Sequence, residues 1–129
     1  MQTLKRNERL KKKQIIQDLF TTGNTFHQYP ITVLWKKTKD YEASPAQVLF
    51  SVSKKRFRKA VDRNKIKRLL RESYRKNNNY FYQFLNNSEN NCTLAIIYTA
   101  KEILPYFEIE KKIISALKRL IIEYEKNIG

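Results

Sequence analysis

A chain of 129 residues with 41% hydrophobic content suits one domain with a modest core, and it is too apolar to be generically disordered. Its 27 Lys and Arg outweigh 12 Asp and Glu, for a net charge of +15. No run of about 18 apolar residues occurs, so nothing reads as a membrane span, and a single cysteine, Cys92, excludes an intrachain disulfide or a cysteine zinc cluster. The opening Met1-Gln2-Thr3-Leu4-Lys5-Arg6 lacks the apolar core of a signal peptide, so a cytoplasmic location is expected by default.

In chain order, Glu8 to Phe20 reads as a helix with Ile15, Ile16, Leu19 and Phe20 on its apolar face. Gly23 suits its C-terminal cap. Phe26 to Lys37 reads as a strand. Tyr29, Ile31, Val33 and Trp35 alternate on one side, with Thr32 and Leu34 on the other, and Pro30 belongs near an edge or bulge. The strand is long enough to bend or divide. After a turn-rich connection over 38–46, Gln47 to Ser53 reads as a second strand, expected to form an antiparallel hairpin with the first.

A helix is expected from about Lys59 to Lys76, with Ile66, Leu69, Leu70, Ser73 and Tyr74 as its buried stripe. The next stretch, Asn77 to Asn91, holds seven asparagines and reads as an extension of that helix followed by a loop. Cys92 to Thr99 is short, β-branched and apolar, the pattern of a strand buried on both faces. After the break at Leu104-Pro105, Glu108 to Lys126 is a final helix with Ile109, Ile113, Ala116, Leu117, Leu120 and Tyr124 inward. The order α-β-β-(β)-α-β-α predicts an α+β fold, a single-domain α/β sandwich over residues 1–129 with one small sheet.

The charge is not spread evenly. Met1 to Lys13 holds six basic residues and one acidic, and Lys54 to Lys76 holds twelve and two, so the rest of the chain is neutral. One sign confined to two segments is the footprint of a polyanion binder. At about 100° per residue, Asn64, Lys67, Arg68, Arg71 and Arg75 share one side of the basic helix, opposite Ile66, Leu70 and Ser73. Arg63 and Lys65 flank that side, and Lys54 and Lys55 extend its field. Guanidinium forks match phosphate oxygens, and Asn64 can address a ribose hydroxyl or base edge. A merely solvated face would mix its signs. A membrane-surface helix would turn its apolar stripe to lipid, whereas this one needs that stripe for the core.

Ser51-Val52-Ser53-Lys54-Lys55, followed by Lys59-Ala60-Val61-Asp62-Arg63-Asn64-Lys65-Ile66-Lys67-Arg68-Leu69-Leu70-Arg71-Glu72, resembles the signature of the bacterial ribonuclease P protein component. Arg9-Leu10-Lys11 to Phe20, and Gly23, resemble that family's opening. Arg56, Phe57 and Arg58 fill a stretch where members often carry glycine, and Lys65 stands where many have arginine.

The resemblance implies a ribosomal-protein-like fold with a left-handed βαβ crossover around the basic helix. It implies a protein cofactor of a catalytic RNA, in an enzyme that removes the 5′ leader of precursor tRNA. Magnesium and the catalytic groups would belong to the RNA. The partners would be ribonuclease P RNA and precursor tRNA, with the protein a monomer in a one-to-one complex and no membrane involved. Lys54, Lys55, Arg63, Asn64, Lys65, Lys67, Arg68, Arg71 and Arg75 would form the surface for the catalytic RNA. Ile16, Phe20 and Trp35 would line a cleft for the single-stranded leader, where aromatic rings stack on unpaired bases.

Two other functions compete: a ribosomal-type binder of structured RNA with no role in cleavage, and a nuclease using its own side chains. The second lacks an acid and base pair. The one histidine, His27, reads as structural or surface, and the carboxylates show no metal-pair spacing.

Overall fold

The computed structural model describes residues 4–38, 45–88 and 91–126. A 3-10 turn (Arg6–Glu8) precedes α1 (Lys13–Thr22). Then come β1 (Asn24–Gln28), β2 (Ile31–Thr38), β3 (Ala46–Val52), α2 (Ala60–Asn77), α3 (Asn79–Ser88), β4 (Asn91–Tyr98) and α4 (Tyr106–Lys126). The connection expected over 38–46 lies largely outside the described residues.

The long first strand divides at Tyr29-Pro30, a cis peptide, where proline has no N–H to give a ladder. Its halves fold back as the antiparallel pair β1 and β2, Phe26 opposite Val33. The antiparallel hairpin expected between this first strand and Gln47 to Ser53 does not form, since β2 and β3 are not neighbours. The sheet order is β1-β2-β4-β3: β4 enters between β2 and β3, antiparallel to β2 and parallel to β3. Its run of buried residues explains why it holds the centre, since only an inner strand with both faces covered buries Cys92, Thr93, Leu94, Ala95 and Ile96 in succession.

Strand parity sorts the core into two layers. Ile31, Val33 and Trp35, with Leu94, Ile96 and Tyr98, face α2, α3 and α4. There they meet Ile66, Leu70 and Tyr74, Phe81 and Leu85, and Ile109, Ile113, Leu117 and Leu120. Leu34 and Ala95 face the other way and are covered by Leu10 and Leu19, with Ile15 and Ile16 alongside. The inward residues expected of the last helix are all buried, and Ile121 joins them.

One local reading needs correcting, and one is refined. The asparagine-rich stretch is not an extension plus a loop but a separate helix. Asn78 ends α2, its carbonyl accepts the Tyr82 N–H at 2.9 Å, and Phe81 and Leu85 anchor α3 at helical spacing. Gly23 caps α1 without a left-handed conformation, its φ being −69°. It is glycine because an added Cβ would lie 2.3 Å from the Leu19 carbonyl oxygen.

Four tyrosines, with Tyr74, Tyr98 and Tyr124 buried and Tyr106 half-buried, make the fold sensitive to alkali. Desolvation pushes Tyr74 well above the usual 10.0, raises Tyr98, and pushes Tyr106 and Tyr124 up to about 12. A group raised on folding stabilises fully below its unfolded value and loses that contribution as pH climbs through the folded one. Stability should therefore hold up to pH about 10 and fall steeply towards about 12. Denaturant melts across that range, with tyrosinate absorbance as a second signal, check this; a flat stability profile would contradict it.

Candidate nucleic-acid interface

The basic segment begins where β3 ends. Lys54 and Lys55 stand exposed in the turn after it, and the Phe57 N–H donates to the Ser53 carbonyl at 3.1 Å. Phe57 is buried against Tyr98, ring centroids 6.0 Å apart, so the Arg56-Phe57-Arg58 departure seats an aromatic plug in the core. Arg56 donates to the Thr99 carbonyl. Arg63 turns back from the first turn of α2, and its Nη1 donates to the carbonyls of Phe57 and Arg58, both at 2.8 Å. That arginine fixes the angle between turn and helix.

On α2, Asn64, Lys65 and Arg68 are exposed, and Lys67 and Arg71 are half-buried. No acidic side chain among the described residues pairs with any of the five. The two acids of the segment sit elsewhere. Asp62 occupies the first turn, where a negative charge suits the helix dipole. Glu72 receives Arg75 at 2.7 Å and Lys76 at 3.7 Å, and the Arg75 hydrogen bond holds its carboxyl below the usual range. Arg75 thus departs from the expected row: it is half-buried, ion-paired, and its Nε is buried with no partner among the described residues.

The structure adds cations that helical projection did not assign. Arg9 pairs as a parallel bridge with Val48, and the Leu10 N–H donates to the Val48 carbonyl at 3.0 Å, which lays the N-terminal segment along the outer edge of β3. Arg9 and Lys11 then line a groove of about 330 Å3 with Lys67 and Arg71. Arg6 and Lys12 line a second depression that shares Arg9 and Lys11. The net charge of Met1 to Lys13 was the sequence signal for this surface; its proximity to α2 is a tertiary fact.

The expected cleft is only partly assembled. Asp18 pairs with Lys36 at 2.5 Å, so that side of α1 faces the end of β2, and Lys36 is the main cause of the lowered Asp18 carboxyl. Ile16 and Phe20, two residues either side of Asp18, project the opposite way. Phe20 is 48% exposed, while Ile16 is half-buried against the Leu34 layer. Trp35 does not join them. It is 2% exposed, lies on the sheet face turned from α1, and stacks on Tyr124 at 5.7 Å. The residues of β2 on the α1 side are Thr32, Leu34 and Lys36. His27, exposed, shares a hydrogen bond of 2.9 Å between its Nδ1 and Thr32 Oγ1.

Among the described residues no three His, Cys, Asp or Glu side chains cluster as metal ligands, and no helix is long and apolar enough to cross a membrane.

A family model described as Ribonuclease P matches residues 4–121. The ribonuclease P protein component of Porphyromonas gingivalis is 33% identical over 117 residues, 91% of this chain and 85% of its own. That of Borreliella burgdorferi is 32% identical over 126 residues, 97% and 96% of the two chains. Among solved structures, the Staphylococcus aureus RNase P protein superposes with a TM-score of 0.71 at 23% identity, covering 88% of this chain and 94% of that one. The Thermotoga maritima RNase P protein gives 0.66 at 24% identity, covering 87% and 96%.

The geometry separates three substitutions. Arg68→Ala should weaken RNA binding and reduce the log–log salt slope by about 0.7–0.9, the value of one lost phosphate contact. Arg75→Ala should leave that slope nearly unchanged and lower the melting temperature instead. Trp35→Ala should cost about 3–5 kcal/mol of stability, as truncation of a buried aromatic does, with no selective effect on any one RNA. Salt titrations of RNA binding beside thermal melts check all three.

Proposed function

The chain belongs to the ribonuclease P protein component family, and from that membership we propose that it is the protein subunit of ribonuclease P, holding the catalytic RNA with α2 and the 5′ leader of precursor tRNA beside α1. The observation that carries this reading is the outer face of α2: Asn64, Lys65, Lys67, Arg68 and Arg71 in helical register, unpaired with any described acid and backed by fully buried Ile66, Leu70 and Tyr74, with Leu69 half-buried beside them.

In this reading the protein supplies binding rather than bond breaking. Phosphates of the folded RNA meet the α2 face, with Lys54 and Lys55 beside it, and condensed counterions leave as the cations replace them. Arg63 acts by setting the helix start, and Arg75 by its pair with Glu72. The chemistry, with magnesium, resides in the RNA. Ile16 and Phe20 take the leader, and half-buried Thr32 replaces Trp35 as the sheet residue beside it, Leu34 being covered by Leu10 and Leu19. Phe20 is the exposed ring of α1, so it is the stacking residue for an unpaired base.

Purified protein, ribonuclease P RNA and precursor tRNA combined at low magnesium test this directly. Leader cleavage should rise well above that of RNA alone, and protein without RNA should cut nothing. Binding without stimulation would leave only a structured-RNA binder. Phe20→Ala should lose up to about 1–3 kcal/mol of preference for precursor over mature tRNA, the range for one stacked base. Equal losses on both tRNAs would remove Phe20 from the leader site.

A further inference from the structure

The N-terminal basic stretch contains one acid, Glu8, and its bonds run to the scaffold rather than to neighbouring cations. Its Oε1 accepts the Lys5 backbone N–H at 3.1 Å, closing the 3-10 turn. Its Oε2 accepts the Tyr82 hydroxyl of α3 at 2.8 Å. The Tyr82 hydroxyl is in turn 3.1 Å from that of Tyr74, which is fully buried on α2. One carboxylate therefore ties the N-terminal turn to α3 and, through it, to α2.

The tie has an electrostatic purpose. Arg9 and Lys11 stand across a groove from Lys67 and Arg71, and the lining includes no acid. Like charges gathered around a groove repel, so without a ligand they favour separation. The buried side chains of Leu4 and Leu10 hold the two ends of the segment. Between those anchors the 3-10 turn is held by two side-chain bonds among the described residues: Gln47 Nε2 of β3 donates to the Asn7 carbonyl at 3.3 Å, and Glu8 receives Tyr82 of α3. The Tyr82 bond also gives α3 a role that its neutral outer face, with Asn79, Tyr80, Gln83, Asn86 and Asn87, does not reveal.

We propose that Glu8 and Tyr82 are positioning residues that hold the N-terminal basic segment beside α2, so that Arg9 and Lys11 complete one continuous phosphate-binding groove with Lys67 and Arg71. The proposal rests on the RNA-binding reading above and adds a device that makes two separate basic segments act as one surface.

Charge and position predict opposite signs, which makes the test sharp. Glu8→Ala raises the net charge by one, so general attraction alone would tighten binding to a ribonuclease P RNA transcript. Positioning predicts weaker binding, roughly three- to tenfold, the scale of one ordinary net hydrogen bond, and a shallower salt slope as the freed segment loses phosphate contacts. Tyr82→Phe keeps the ring and the charge and should move affinity in the same direction. Glu8→Gln has the net charge of the alanine variant but keeps an acceptor for the tyrosine hydroxyl, so it should recover most of the affinity. Thermal melts on each variant confirm that it is folded. Glu8→Ala and Tyr82→Phe binding as tightly as the unsubstituted chain, with unchanged slopes, would overturn the proposal. Failure of the unsubstituted chain to bind the transcript would instead overturn the RNA-binding reading beneath it.

Discussion

The parallel pairing of β4 with β3 is the constraint on which the rest depends. Two parallel neighbours cannot be joined by a tight turn; the chain must travel back over a sheet face before it pairs again. Everything between Val52 and Asn91 is that return path: the lysine turn, the basic helix α2 and the short helix α3. The element read as RNA-binding is thus the crossover itself. Its apolar stripe is committed to the sheet, with Ile66, Leu70 and Tyr74 completely buried. A helix so pinned has one orientation, and its cations point outward because its other side is occupied.

That fixed orientation makes the treatment of acids meaningful. A helix dense in lysine and arginine is ordinarily balanced by acids three or four residues away. Here Asp62 sits at the helix start and Glu72 is taken by Arg75 and Lys76, so both acids lie off the row from Asn64 to Arg71. The repulsion left within that row costs stability. It is supported by the core beneath and relieved when a polyanion arrives, which couples folding to binding in the direction an RNA partner requires.

Local periodicity made much of this legible in the sequence. The α2 stripe and its opposite face follow from 3.6-residue spacing, and the α4 interior does too. Pairing order did not, because a sequence states which residues form strands but not which strand enters between two others; β4 displaced the expected hairpin for that reason. α3 was obscured by asparagines of poor helix propensity, although Phe81 and Leu85 stood at helical spacing. The Trp35 assignment failed in a more instructive way. Strand alternation already placed Trp35 with Ile31 and Val33, both now in the main core, so parity outranked the nearby Lys36 and Lys37. Arg75 was similar: projection placed it outward, yet Glu72 one helical turn before it was the signal for an internal pair.

The sheet register also connects the two surfaces that the proposed function needs. Ser51 lies beside Ile97, and Ile97 beside Thr32, so one row crosses from β3 to β2 on the face that α1 only partly covers. Phe20 and Ile16 project towards that end of the sheet, since Asp18 claims the other end through Lys36. Two and three residues beyond Val52, at the same end of β3, stand Lys54 and Lys55, and the same turn leads directly into α2. The lysine turn is therefore the junction between the uncovered sheet face and the basic helix, not an outlying extension of the helix field. Under the ribonuclease P reading, a leader lying along the Thr32 to Ser51 row would reach the catalytic RNA across this turn, and the end of one parallel strand would set the distance between substrate and catalyst.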